Sequence, residues 1–388
     1  MATEAFVDIA DFLNYKRTSL AEAITARQYE HYPELAQRYG EGSRARCAED
    51  TAFHLSYLST AIATDHPVIF IDYINWAKTL FLSYQLRLED LANSLHCMRD
   101  VLCEQLPGEA APIITSYIDG SLQTFEREHE HFQSDSFIQP GQPHARLAQR
   151  YLNALLNHDR RSASQHIAEA LAQGIGVKDL YLHVFQACQF EIGRLWHLRK
   201  VSNPQEHFCT AVTQSLIAQM YPAIFAAPRR GRTAVVACVG GELHELGARM
   251  VADFLELDGW DTLYLGANTP SAGIAQTVAQ HNANLLCISV TMSFHVPLVA
   301  ETIRLVRAAC CPARADSGWR LPVPPGARPV AYGWRRWICT RCRGCGCACQ
   351  PPPGTVRKPC SLRTARLSLP WCAMLAGDLL LCCTTRWA

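Results

Sequence analysis

Three groups of residues in this chain have the types and spacing to do chemistry. The first is Glu242-Leu243-His244-Glu245-Leu246-Gly247. It follows a β-branched apolar run, Thr233–Val239, and two glycines. Met250, Phe254 and Leu255 come after it at helical spacing, and then a second apolar run, Asp261–Leu265. That order predicts one strand–loop–helix–strand unit. It sets His244 at the C-terminal end of the first strand, where open α/β sheets bind ligands. An imidazole there is either a ligand contact or an ordinary surface residue of the loop. A further strand, Asn284–Thr291, ends in Ser289-Val290-Thr291. The second group is Trp196, followed after nine residues by Glu206-His207. Taken alone, it reads equally well as a core tryptophan and a residue in the first turn of a helix. The third group is Arg46, Asp50, His54 and Tyr57 along one predicted helix, with Tyr73 and Trp76 on another. These are either core aromatics with capping charges or a pocket for a flat conjugated ligand. In such a pocket the arginine meets carboxylates and the rings sandwich the ligand.

The elements that must position these residues follow from periodicity. Residues 1–132 read as all-helical, with helices over Ala10–Gln37, Asp50–Ala63, Val68–Leu86, Arg87–Leu106 and Ala111–His131. Residues 133–144 form a Pro/Gly/Ser-containing linker. Four helices are then predicted, Ala145–Asn157, Arg160–Gln173, Val177–Leu198 and Pro204–Phe225. Their short connections suggest an antiparallel four-helix bundle. The expected architecture is multidomain: an all-α domain over 1–132, the linker, a bundle domain over 145–228 and an α/β Rossmann-like domain over 229–311. Residues 1–311 carry 24 Lys/Arg against 33 Asp/Glu, an acidic balance that argues against nucleic-acid binding by the main body. The N-terminus has no secretory signal pattern and the chain before its tail has no apolar run of bilayer length, so a cytoplasmic protein is expected.

Glu242-x-His244-x-x-Gly247 resembles the cobalamin-binding signature, in which the first residue is more often Asp. The 41 residues between Gly247 and Ser289 match the distance to that family's next motif, here Ser289-Val290-Thr291. The resemblance implies that His244 replaces the cofactor's own benzimidazole as the lower ligand of cobalt. Glu242 would hold the other imidazole nitrogen, and Gly247, Ser289 and Thr291 would accommodate the nucleotide tail. Trp196 with Glu206-His207 resembles the light-sensing cobalamin proteins of the CarH type. There the tryptophan packs on the adenosyl group, the glutamate touches it, and the histidine takes the upper cobalt position after photolysis. CarH-type repressors begin with a DNA-reading domain, and residues 1–132 show no basic recognition helix. Their aromatic-rich helices resemble instead the photocobilins, which add a bilin such as biliverdin. Arg46, Asp50, His54, Tyr57, Tyr73 and Trp76 are the candidate bilin contacts. Cys47 and Cys97 are thiols that could form a thioether, though a buried structural thiol is the simpler reading of each.

The tail departs from this pattern. Residues 312–388 carry 12 Lys/Arg against 2 Asp/Glu, nine of the 18 cysteines and five of the eight tryptophans. Cys342, Cys345, Cys347 and Cys349 make a weak zinc pattern without a second pair at convincing spacing. A reading-frame shift near residues 311–316 explains the composition better. Because Trp has one codon, Trp319-Arg320, Trp334-Arg335 and Trp337-Ile338 each become Gly one base on. The new glycines fall where the cobalamin family has Gly-Gly and Gly-Ala-Asp-Gly. On that reading 312–388 is aberrant and poorly ordered, and the cobalamin domain is incomplete.

The expected function is light sensing by bound adenosylcobalamin, in a protein that is not an enzyme. Photolysis of the cobalt–carbon bond would change bundle packing and a homo-oligomeric or partner state, with a bilin as second chromophore. The alternatives are a corrinoid methyl carrier of a methyltransferase system and a cobalamin-sensing regulator indifferent to light.

Overall fold

A computed structural model describes residues 4–40, 42–125 and 135–310, with the backbone of 380–381. These fall into two compact units. The first holds the residues up to Gln219 together with Met292–Pro297. The second holds Met220–Thr291 and the described residues Leu298–Cys310 and Leu380–Leu381.

The first unit is helical. Its N-terminal group comprises α1 (Glu4–Tyr15), α2 (Arg17–His31), α3 (Glu34–Tyr39), α4 (Ser43–Ala63), α5 (Pro67–Ser83), α6 (Leu88–Gln105) and α7 (Ala111–Leu122). α4 lies at the centre, because every residue from His54 to Ile62 is buried. A stretch buried on all sides is a core helix, and its Ser56, Ser59 and Thr60 hydroxyls donate to backbone carbonyls. It packs with Leu20 and Ile24 of α2, Phe70 and Ile74 of α5, Leu95 and Met98 of α6, and Ile114 of α7. The stretch expected as one helix, Ala10–Gln37, is three. Lys16 and Tyr32-Pro33 interrupt it, and Pro33 sits just outside α3 rather than inside a helix that its ring would break.

The second helical group comprises α8 (Ala145–Leu156), α9 (Arg160–Ala172), α10 (Val177–Asp179), α11 (Gln186–His197) and α12 (Asn203–Ala218). A π-helical segment, Leu180–Phe185, joins α10 to α11. Side chains cap two of these helices: Asp159 accepts from the Ser162 N–H at 3.0 Å, and Ser202 from the Gln205 N–H at 3.4 Å. The helix expected over Pro204–Phe225 ends at Ala218, and a short α13 (Tyr221–Ile224) opens the second unit.

The second unit is a parallel sheet with helices on both faces. β1 (Thr233–Val239) lies between β2 (Asp261–Thr269) and β3 (Leu285–Ser289), and the strand order is β2-β1-β3-β4. α14 (Leu246–Leu257) packs through Ala248, Ala252 and Leu255 on Ala234, Val236 and Cys238. α15 (Ser271–Gln280) and α16 (Val296–Cys310) bury Ile274, Val278 and Ile303 on the opposite face, against Val235, Ala237 and Ile288. This alternation along β1 explains why it is apolar throughout. β2 runs four residues past the expected Leu265. A register shift after the Val236–Tyr264 pair brings Ala237 opposite Gly266, and Gly266 takes φ +81°. β4 is Leu380–Leu381, paired with Cys287 and Ile288 of β3. The strand pairing there departs from the expectation of an unstructured tail. The rest of the zinc-pattern and frame-shift expectation, including 312–379, lies outside the described residues, as does the predicted helix end at His131. Among the described residues, no helix is long and apolar enough to cross a membrane.

Candidate functional site

β1 delivers the first group of residues. After Val239, Gly240 and Gly241 turn the chain, and Gly241 has φ +77°. Asn268, past the bulge of β2 and itself at φ 50°, brackets this turn. Its side-chain oxygen accepts from the Gly241 N–H at 2.7 Å, and its own N–H donates to the Glu242 carbonyl at 2.9 Å. Glu242 is fully buried, with 0 % exposure. One carboxylate oxygen accepts from the His244 backbone N–H at 3.0 Å and lies 2.5 Å from His244 Nδ1. The other accepts from the Thr291 backbone N–H at 2.7 Å. A buried acceptor on Nδ1 holds the proton there and leaves the Nε2 lone pair for a metal. The His244 side chain is 35 % exposed and Leu243 beside it is 71 % exposed, so an imidazole and an apolar side chain stand together at the surface of the unit.

The neighbouring acid is fixed too. Glu245 accepts from Tyr264 Oη at 3.1 Å and from the Ala267 N–H at 3.2 Å. A Cβ on Gly266 would come within 3.4 Å of that carboxylate. Burial, with Glu242 nearby, pushes the Cys238 thiol up to about 12, so it stays protonated under this loop. Ser289 is buried at the end of β3, Thr291 follows it, and Gly247 lies in the first turn of α14. Glu242 and Thr291 are thus joined across 49 residues, a contact carried by backbone and invisible to motif reading.

α11 and α12 deliver the second group. The Trp196 indole N–H donates to the Asn203 side chain at the start of α12. One turn on, His207 Nδ1 and a Glu206 oxygen are 3.0 Å apart, with the His207 side chain 80 % exposed. The other Glu206 oxygen accepts from Thr210 Oγ1 at 2.8 Å. Thr210 Oγ1 also lies 3.3 Å from Gln189 Oε1, and the Gln189 amide donates to Thr213 Oγ1 at 2.7 Å. Tyr151, Gln189 and Thr213 are fully buried, so Glu206 is the outer end of an interior polar network. Sequence reasoning missed Asn203, Gln189 and Asn268. The one available signal was Asn at turn and helix-start positions.

The third group gives an aromatic cluster and two exposed charges on α4. Tyr57 and Tyr73 stack with centroids 3.7 Å apart, and His54 Nδ1 lies 2.8 Å from Tyr73 Oη. Burial holds the His54 imidazole down at about 4, and burial first, then Tyr57 and Asp50, holds the Tyr73 phenol well above its ordinary range. Phe294 meets Tyr57 edge-on at 5.2 Å. A stack at 3.7 Å has no gap for a ligand ring, so Tyr57 and Tyr73 sandwich each other, not a ligand, in this conformation. Arg46 and Asp50 are exposed on α4, two and one helical turns before His54. Trp76 Nε1 is buried with no hydrogen-bond partner among the described residues, a donor that a ligand carbonyl or carboxylate would satisfy. Cys47 donates to Gln28 at 3.2 Å, and burial raises the Cys97 thiol to about 11. Protonated, enclosed thiols are poor nucleophiles, in keeping with structural roles.

Comparison with known proteins bears on all three groups. Residues 232–312 match the B12 binding domain model, 147–221 match a second B12 binding domain model, and 2–124 match the phycobilisome protein model. Over 108 residues the chain is 29 % identical to the HTH-type transcriptional repressor CarA of Myxococcus xanthus. That match takes in 28 % of this chain and 37 % of the relative, so the chain spans little more than a third of that protein. Among solved structures, the Methanosarcina barkeri monomethylamine corrinoid protein aligns at 17 % identity and TM-score 0.38, covering 41 % of this chain and 76 % of that one. The methanol:cobalamin methyltransferase complex of Methanosarcina barkeri aligns at 15 % identity and TM-score 0.25, covering 46 % and 72 %. By sequence, therefore, two stretches of the chain are similar to B12 binding domain models, and its N-terminal helical segment is similar to the phycobilisome protein model.

Proposed function

We propose that this protein is a light sensor that uses bound adenosylcobalamin, with a bilin such as biliverdin as second chromophore. The observation that carries cobalamin binding is the Glu242–His244 pair. A fully buried carboxylate 2.5 Å from Nδ1 leaves the Nε2 of a partly exposed ring as the nitrogen that would hold cobalt. Leu243 offers the apolar surface that the flat face of a corrin ring would cover. Ser289 at the end of β3, Thr291 two residues beyond it and Gly247 in the first turn of α14 would accommodate the nucleotide tail.

Bound adenosylcobalamin supplies a cobalt–carbon bond that light breaks. Every other part is the chain's own. Trp196, held by Asn203, would pack on the adenosyl group. Glu206 would touch that group and keep His207 turned toward the same place. His207, its side chain 80 % exposed beside Glu206, would supply a second imidazole to hold cobalt after the adenosyl group is lost. Binding through His207 would pull the first turn of α12 and repack the helices of its own group, read as a four-helix bundle. Trp196 and the Glu206-His207 pair favour a sensor over a methyl carrier, because a carrier has no use for an adenosyl-packing indole.

Absorption spectra of the purified chain, supplied with adenosylcobalamin and biliverdin and taken before and after green light, test the reading. A cobalamin spectrum that changes irreversibly to a two-imidazole form, and does not do so in His207→Ala, supports it. A bound cofactor indifferent to light would move the assignment to a methyl carrier or a passive cobalamin sensor.

A further inference from the structure

The aromatic cluster of the N-terminal helices continues to Trp196. Tyr73 stacks on Trp76 with centroids 5.9 Å apart. Trp76 meets the His197 ring at 5.7 Å, and His197 lies 6.3 Å from Trp196. Tyr57, Tyr73, Trp76, His197 and Trp196 therefore form an unbroken series of ring contacts from α4, through α5, to the last turn of α11. His197 is only 3 % exposed. Two residues later, the Arg199 guanidinium lies 4.3 Å from the Tyr84 ring centroid, so the end of α11 is held to α5 and to the residue just past it at two points. On its other side the Trp196 indole is tied to Asn203.

We propose that His197 is a positioning residue that couples Trp76 to Trp196, so that packing changes in the N-terminal aromatic cluster reset the orientation of the Trp196 indole. Packed rings pass displacement on where a shifted ring has little room to move aside, as at the buried His197. The Tyr57–Tyr73 stack has no gap, so a flat conjugated ligand that enters this cluster has to shift its rings. Trp76 and His197 carry that shift to Trp196. The functional meaning of this coupling rests on Trp196 as the adenosyl contact, whereas the coupling itself requires neither cobalamin nor light.

The test is fluorine NMR of the full chain labelled with 5-fluorotryptophan, with the Trp196 resonance assigned by its loss in Trp196→Phe. Trp76→Leu should displace the Trp196 resonance in the parent and in His197→Phe, which restores a ring, but not in His197→Ala. Trp76→Phe, a milder change that keeps a ring, should displace it less. A Trp196 resonance unmoved by both Trp76 variants in the parent overturns the proposal. So does a displacement that is equally large in His197→Ala. Failure of the photoreceptor reading would appear in the absorption spectra and leave these resonances as they are.

Discussion

Replacing Glu242 by Gln is the sharpest perturbation of the cofactor site, because it changes two atoms' chemistry and almost no volume. The carboxylate faces only donors: the His244 N–H at 3.0 Å, Nδ1 at 2.5 Å and the Thr291 N–H at 2.7 Å. A glutamine has one oxygen to offer and turns an NH2 toward at least one of these groups. With Glu242 at 0 % exposure, water cannot make good the loss. An unsatisfied buried donor costs about 1–3 kcal/mol, and charge-assisted bonds are about twice as strong as neutral ones. Loss of an outer partner of a metal-bound histidine lowers metal affinity by about 10–100-fold. The Glu242→Gln protein should therefore fold with about 1–3 kcal/mol less stability and bind cobalamin about 10–100-fold more weakly. Urea denaturation reads the first effect, and absorption titration reads the second. His244→Ala, as the control, should abolish the imidazole-ligated spectrum altogether. Unchanged affinity and stability in Glu242→Gln would refute the reasoning, since a buried carboxylate with three donors cannot be both structural and dispensable.

Other outcomes are equally specific. His54 and His197 are held neutral, at about 4 against an ordinary 6.5, so between these values the unfolded chain binds protons that the folded chain does not. Stability should be full above about pH 6.5 and fall toward pH 4, by up to roughly 3 kcal/mol per histidine, in urea unfolding followed across that range. Gly259→Ala should destabilise the second unit by about 1–3 kcal/mol in thermal unfolding. Gly259 has φ +85°, and a Cβ there would lie 2.4 Å from the Pro228 carbonyl oxygen, which is backbone and cannot yield. Gln189→Leu removes the link between Thr210 and Thr213 inside the second helical group. It should cost about 1–3 kcal/mol in urea denaturation while leaving helix content unchanged by circular dichroism.

The helices and the sheet were legible where a period was strong. The continuous apolar run Thr233–Val239 gave β1, and β1 placed His244. Glu242 as the imidazole partner came from the resemblance of Glu242-x-His244-x-x-Gly247 to the cobalamin signature, not from spacing alone. The Thr291 N–H that completes the carboxylate's set was not readable, since a backbone donor leaves no mark in side-chain spacing. Asn268 was hidden for a related reason. It works through a bulge that extends β2 beyond Leu265, and the sequence shows there only Gly266. In the N-terminal helices the aromatic residues were evident but their relation was not. Period alone cannot tell a stack of Tyr57 on Tyr73 from two rings facing a ligand. Pro33 was a visible helix breaker, and the long helix expected across it gave that signal too little weight.

The π-helical segment Leu180–Phe185 has a consequence for the residues beyond it. Such a segment amounts to one extra residue in an α-helix, and one residue is about 100° of rotation at 3.6 residues per turn. The direction in which Trp196 and His197 face is therefore a phase, set by chain length some ten residues upstream as well as by their own neighbours. Removing a single residue from the segment would leave the composition of α11 untouched and swing both rings by more than a quarter turn. In this helix the azimuth of an indole is written as an insertion, a form of information that no comparison of residue types would record.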